Sequence, residues 1–293
     1  MCGIVGVVAR QNVVPVLLDG LRRLEYRGYD SAGIVVQNGQ AELERVRRVG
    51  KVAELAKALE AVPINGLTGI AHTRWATHGE PSEKNAHPHI CNAQVALVHN
   101  GIIENHDVLR EQQKHAGYRF TSQTDTEVIV HQVHRYLEQG QDLLAAVQST
   151  VKDLEGAFAL GVISRDEPGR LIAARRGSPL VIGLADDEVL IASDVAALVS
   201  RTRRFVFLED GDVADISLQA PAFMTRPATW PSGRSKLPAS RRMPPSRAGI
   251  ATTCSRRSTS SRAPLPRHWK DVLVSTMCWR RPSAPVRAAS SMR

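Results

Sequence analysis

Four short segments of this chain carry side chains able to act together on a carbonyl. The chain opens Met1-Cys2-Gly3-Ile4-Val5-Gly6. A small second residue lets a methionine aminopeptidase remove Met1, which leaves Cys2 with a thiol and a free α-amine on one residue. These titrate near about 8.5 and about 7.7, so both are poised close to physiological pH. The amine can take the thiol proton, directly or through a water, and leave a nucleophilic thiolate. Further on, Val98-His99-Asn100-Gly101-Ile102 closes an apolar run. Asn100 can aim an amide N–H and Gly101 lets a backbone N–H approach closely, together an oxyanion hole. Arg74, in His72-Thr73-Arg74-Trp75-Ala76-Thr77-His78-Gly79, offers a planar fork that suits a carboxylate, and Trp75 can close over a small ligand. Asp125, in Thr124-Asp125-Thr126-Glu127, can bind an ammonium.

Together these groups suit an amino acid with an acyl group on its side chain. A thiolate attacking a side-chain amide releases ammonia and leaves a thioester for water to hydrolyse, and glutamine fits that description. Each segment also has a plainer reading. Cys2 can be a small buried hydrophobe on a first strand. Asn100-Gly101 can be a turn joining two strands. Asp125 can be a first-turn acid favoured by the helix dipole. Arg22–Gly33, with its charge pairs and two glycines, reads as a structured turn. The histidines His72, His78, His87, His89 and His99 read as structural or surface groups, since their spacing matches no known metal site.

Strand-length apolar runs recur at Gly3–Ala9, Ala32–Gln37, Thr68–Thr73, Gln94–His99, Phe158–Ile163, Leu171–Ala174, Leu180–Leu184, Val189–Ala192 and Phe205–Leu208, with a short Val213–Ile216. Helical spacing covers Val13–Leu24 (with Asn12 as N-cap), Val52–Val62, Asn105–Ala116, Thr124–Glu138 and Leu143–Leu154. Strands come in twos and threes, with a hairpin-like turn at Gln37-Asn38-Gly39-Gln40. That pattern predicts an α+β fold of antiparallel sheets beneath helices rather than a doubly wound parallel sheet.

The net charge of +9 suggests a nucleic-acid binder until it is located. Residues 1–218 hold 23 Lys+Arg against 28 Asp+Glu, so the body is mildly acidic and offers no basic stripe for nucleic acid. Residues 219–293 hold 15 Lys+Arg against Asp271 alone, with 10 Pro and 12 Ser. Such a segment cannot bury enough apolar surface to offset ordering entropy and is predicted to be a disordered tail. Its charge suits only nonspecific contact with nucleic acid or anionic membranes. The four cysteines (Cys2, Cys91, Cys254, Cys278) make neither a disulfide framework nor a metal motif. No apolar run approaches the ~18 residues that cross a membrane, and no leader pattern is seen. The expected setting is the cytoplasm, with reduced thiols.

Residues 2–216 resemble the class II glutamine amidotransferases, which are N-terminal-nucleophile hydrolases. The resemblance rests on Cys2-Gly-Ile-Val-Gly, Leu24-Glu-Tyr-Arg-Gly-Tyr-Asp-Ser-Ala-Gly33 and His72-Thr-Arg-Trp-Ala-Thr-His-Gly79. The last two look like the sugar-aminating branch; the purine-pathway branch is expected to show a His-Arg-Gly-Gln-Asp type of motif instead. The resemblance implies a four-layer αββα sandwich over residues 2–217. It implies Cys2 as nucleophile with its α-amine as base, and Asn100 with the Gly101 N–H as oxyanion hole. Arg74 would hold the α-carboxylate of L-glutamine and Asp125 its amino group. Thr77 and His78 would line the pocket, Trp75 would belong to a lid, and Arg27 would support the nucleophile. No metal or organic cofactor is implied. A catalytically silent glutamine- or partner-binding module with a basic anchor is the reading from a different class.

The sugar-aminating branch continues into two isomerase subdomains, through which it dimerises. Residues 218–293 do not resemble them. Read with each codon taken as the last base of one triplet and the first two of the next, Ala251–Arg262 can decode as His-Tyr-Met-Leu-Lys-Glu-Ile-Tyr-Glu-Gln-Pro. That string resembles the branch's linker into its isomerase half. The expectation is a single insertion or deletion between about Ile216 and Phe223, with out-of-frame sequence after it. Finding one uninterrupted native frame, with no isomerase frame nearby downstream, on sequencing that window would overturn it.

Overall fold

In the computed structural model the described residues are 2–28, 30–75 and 80–219, with the backbone of 223–225. The first strand, β1 (Gly3–Ala9), is apolar on both faces because it is covered on both. After it come α1 (Val14–Leu24), β2 (Ser31–Gln37), β3 (Leu43–Val49), α2 (Val52–Ala61) and β4 (Thr68–Arg74). Next are β5 (His89–Cys91), β6 (Val95–Ile103), α3 (His106–His115), α4 (Thr126–Glu138) and α5 (Leu143–Asp153). The chain then runs through β7 (Gly156–Ser164), β8 (Leu171–Arg176), β9 (Val181–Leu184), β10 (Glu188–Ala192), β11 (Arg204–Phe207), β12 (Val213–Ile216) and β13 (Phe223–Thr225).

Two antiparallel sheets result. One has the order β11-β9-β10-β1-β4-β2-β3, with β1 at its centre; the other runs β13-β12-β8-β7-β6-β5. Alternation along each strand assigns side chains to layers. From β1, Val5, Val7 and Ala9 join a core with Leu17, Leu21 and Leu24 of α1 and Leu55 and Leu59 of α2. Ile4 and Val8 point the other way, into a core between the sheets with Ile70, Ala96, Val98, Ala159 and Ile191. The outer face of the second sheet packs Leu97, Phe158 and Leu160 against Val128, Ile129 and Val133 of α4 and Val147 of α5. Helix, sheet, sheet, helix is the predicted αββα order. Burying each such Leu, Ile or Phe stabilises the fold by roughly 1.5–3 kcal/mol.

Local chemistry explains most boundaries. The Oδ1 of Asn12 accepts the Val14 N–H at 3.2 Å, so it serves the first turn of α1 although the helix starts one residue later than predicted. The β2–β3 hairpin is real, but its turn spans Asn38–Glu42, with Asn38 Oδ1 accepting the Gln40 and Glu42 N–H groups at 3.0 and 2.9 Å. Three strands escape the apolar-run signal, and one of them, β13, lies in the stretch read as a tail. The sequence of β3, Leu-Glu-Arg-Val-Arg-Arg-Val, is charged because it is an edge, where charge discourages further pairing. Only three residues long, β5 is an edge too. The largest difference is β6, which runs through Asn100 and Gly101, paired to Ala159 and Phe158. Asn100-Gly101 is therefore not a turn.

Among the described residues no helix is long and apolar enough to cross a membrane. Thr77 and His78 lie outside the described residues, as does the tail apart from Gln219 and the three-residue β13 backbone, which pairs with β12.

Candidate active site

The ends of β1, β4, β6 and α4 meet around one small, narrow cleft. Pairing of Gly3 with Thr73 sets Cys2 beside the C-terminal end of β4, where Arg74 and Trp75 sit. The opposite wall is Gly101 from the second sheet, and Asp125 and Thr126 close the floor from the start of α4. Cys2, Gly101, Arg74, Trp75 and Asp125 thus share one cleft although up to 123 positions separate them in the chain.

The thiol is bracketed by the Trp75 backbone. The Trp75 N–H donates to Cys2 Sγ at 3.2 Å, and Sγ lies 3.6 Å from the Trp75 carbonyl. Burial pushes the Cys2 thiol up from its ordinary value, and the Trp75 N–H pulls it back by favouring the thiolate. Trp75 therefore acts on the sulfur through its backbone, a role its side chain did not advertise; its indole is half-exposed beside the cleft. Asn100 bridges the two sheets: its Nδ2 donates to the Cys2 carbonyl at 3.3 Å, while its Oδ1 lies 2.9 Å from His72 Nε2.

Gly101 has φ +136°, and a Cβ there would sit 2.0 Å from the Ala157 carbonyl oxygen. Strain and overpacking each cost roughly 1–3 kcal/mol. Gly101→Ala is expected to lower the melting temperature by roughly 10 °C, at about 2–4 °C per kcal/mol for a domain of this size. An unchanged melting curve would show that β6 and β7 separate freely at this point.

Arg74 is buried, donates to the Glu80 carbonyl at 3.3 Å and stands 4.0 Å from Asp30. Asp125 occupies the N-cap position of α4 but makes no side-chain capping bond. Its Oδ2 instead accepts the Ile103 N–H at 2.9 Å, which ties the helix start to the end of β6. Arg27 donates to the Ser193 carbonyl at 3.2 Å and to Asp194 at 3.0 Å. Ser193 in turn bonds both ways to Ile4, so Arg27 reaches the nucleophile's strand at second hand.

Four residues lining the cleft, His87, His99, Thr124 and Thr126, have no role in the sequence reading. Thr126 Oγ1 lies 2.8 Å from His87 Nε2 and 3.0 Å from His99 Nδ1, so one hydroxyl joins two buried imidazoles under the cleft. His87 and His99 appear in the sequence only as members of a histidine set, and nothing in their spacing signals the shared threonine. Among the described residues no group of three or more His, Cys, Asp or Glu side chains is arranged to hold a metal ion.

Cys2 thus stands at a cleft between two sheets, with the Asn100 amide and Gly101 beside it. The family model of the glutamine amidotransferase domain matches residues 72–200. Residues of the N-terminal part are 62% identical, over 218 residues, to glutamine–fructose-6-phosphate aminotransferase [isomerizing] of Shewanella oneidensis, covering 74% of this chain and 36% of that protein. The protein of the same name from Pseudomonas aeruginosa is 58% identical over 216 residues, covering 74% of this chain and 35% of the relative. The chain thus spans little more than a third of the length of these relatives.

Among solved structures, the glutamine phosphoribosylpyrophosphate amidotransferase of B. subtilis matches with a TM-score of 0.67 and 26% identity, covering 77% of this chain and 49% of that one. A glutamine aminotransferase class-II domain protein from Silicibacter pomeroyi shares the fold, with a TM-score of 0.53 and 16% identity over 77% of this chain and 99% of its own.

Proposed function

We propose that residues 2–217 hydrolyse L-glutamine to glutamate and ammonia, as the glutaminase part of a protein of the glutamine–fructose-6-phosphate aminotransferase type. One observation carries this: Cys2 Sγ shares its cleft with Gly101, Arg74 and Asp125, and the Asn100 amide bonds to the nucleophile's own residue. With Met1 removed, the α-amine of Cys2 takes the thiol proton. The thiolate attacks the side-chain carbonyl carbon, and the electron pair moves onto oxygen, held by the Asn100 Nδ2–H and the Gly101 N–H. Collapse breaks the C–N bond, the nitrogen leaves with the proton from the amine as ammonia, and a thioester remains. The amine then takes a proton from water, hydroxide adds to the thioester, and glutamate departs as the thiolate is re-formed. Arg74 holds the substrate α-carboxylate and Asp125 its ammonium. Asp125 does so with the lone pairs that the Ile103 N–H leaves unused.

The purine-pathway reading is disfavoured by the 62% identity to the amino-sugar relative against 26% to the purine-type structure. Amination of a sugar phosphate belongs to the larger part of those relatives, and residues 218–293 are read as out-of-frame sequence in its place. The test is release of ammonia and glutamate from glutamine by the purified chain, with its intact mass measured in parallel. Equimolar products from chain lacking Met1 are expected. Activity in chain that retains Met1 would overturn the amine-as-base step, and no products from chain lacking Met1 would overturn the glutaminase reading.

A further inference from the structure

We infer that His72 is a positioning residue for the oxyanion hole: its Nε2–H fixes the Asn100 amide so that Nδ2 faces the reacting carbon. The inference deepens the glutaminase reading and rests on it. The geometry leaves one consistent set of protons. His72 Nε2 lies 3.1 Å from the His99 carbonyl oxygen and 2.9 Å from Asn100 Oδ1. A backbone carbonyl only accepts, so Nε2 must carry the hydrogen. An amide turned the other way would set its NH₂ group against that N–H. The donor end of Asn100 is thereby aimed at Cys2, whose carbonyl it meets at 3.3 Å.

The surroundings hold this arrangement. His72 is fully buried on β4 between Ile4 of β1 and Gly33 of β2, whereas Asn100 stands on β6 of the other sheet. The contacts of His72 Nε2 with the His99 carbonyl and with Asn100 Oδ1 therefore span the two sheets at the level of the nucleophile. The His87 ring packs on the His72 ring at 4.2 Å between centroids and limits its rotation. Nδ1 is buried and makes no hydrogen bond among the described residues, so nothing favours the other tautomer. Burial pushes the imidazole down to about 3, which keeps it neutral at working pH with a single N–H.

The same position accommodates two informative amides. The Nε2 of glutamine reaches close to where the imidazole Nε2 stands; the shorter asparagine amide reaches only the Nδ1 position. In the full 293-residue chain, His72→Gln is expected to keep kcat for glutamine hydrolysis within about fivefold. His72→Asn and His72→Leu are expected to lower kcat about 10²-fold, as losing an oxyanion donor does, with KM nearly unchanged. In an Asn100→Ala background the same His72 changes should cost almost nothing more, since the group they position is gone. Wild-type kcat in His72→Asn, or an undiminished further loss in the Asn100→Ala background, would overturn the proposal.

If His72→Leu fails to fold, the glutamine and asparagine variants decide. A second readout is independent of turnover. Long-range ¹H–¹⁵N spectra of the wild-type chain should show the His72 Nε2–H tautomer from about pH 5 to 8, the range over which an unperturbed imidazole would charge. An Nδ1–H tautomer would sink the positioning role even if ammonia is released. Failure of the wild-type chain to release ammonia, with the Nε2–H tautomer present, would count against the glutaminase reading alone.

Discussion

Cys2→Ala is expected to lower glutamine-dependent ammonia release by on the order of 10⁴-fold or more, the scale on which removing a covalent nucleophile acts. Alanine is as small as cysteine for the aminopeptidase, so the variant still exposes an α-amine and loses only sulfur. No other described thiol can take over. Cys91 is buried, 3.1 Å from His131 Nδ1, and burial pushes its thiol up to about 12. The melting curve should change little, because the Cys2 side chain is only partly buried and β1 proper begins at Gly3. Retention of even a hundredth of wild-type turnover would exclude the thiolate mechanism. A silent binding module would show no turnover before or after the change.

Mild acid should destabilise the domain. Burial pushes His72 down to about 3 and His131 down to about 4, and holds His87, His89 and His99 below the ordinary imidazole value. The unfolded chain protonates these groups near about 6.5, so it binds more protons than the fold below that pH, and stability rises with pH. The contribution is fully present above about 6.5 and is lost as pH falls toward the depressed values. Each imidazole kept neutral costs up to about 1.4 kcal/mol per pH unit in that window. For His72 and His131 together the loss by about pH 5.5 is on the order of 2–3 kcal/mol, and His87, His89 and His99 shift stability the same way. The urea midpoint should fall steeply between about pH 7 and 5.5 with little change in slope. A midpoint that is flat over this range would mean that the histidines titrate freely in the fold.

The hydrophobic record of this chain is easy to read where both faces of an element are covered. β1 and β12 have the bounds that their apolar runs predict, and α1, α2, α4 and α5 differ by one or two residues at an end. It is hard to read where one face is wet. Arg45, Arg47 and Arg48 disguise β3, although Arg45 and Arg47 spend their guanidinium groups on the carbonyls of Pro88 and Ala86. The Asn-Gly pair misleads because its glycine answers to the Ala157 carbonyl across the sheet, a neighbour 56 positions away that local turn chemistry cannot see. The site shows the same division. Cys2, Gly101, Arg74 and Asp125 are visible by residue type. Their partners are tertiary: Trp75 contributes a backbone N–H, Asp125 is tied to Ile103, and the hydroxyl of Thr126 links two histidines.

The central place of β1 also has a consequence for the order of synthesis. The first strand to leave the ribosome takes β4 on one side and β10 on the other, and β10 ends at Ala192. At about 5–20 residues per second, roughly 10–40 s pass between the emergence of Cys2 and that of its last neighbour. During this interval β1 is an apolar segment with at least one bare edge, a natural client for chaperones. The residues that line the cleft are thus all made by Thr126, whereas the strand that carries Cys2 gains its second neighbour only when nearly 200 residues have been made.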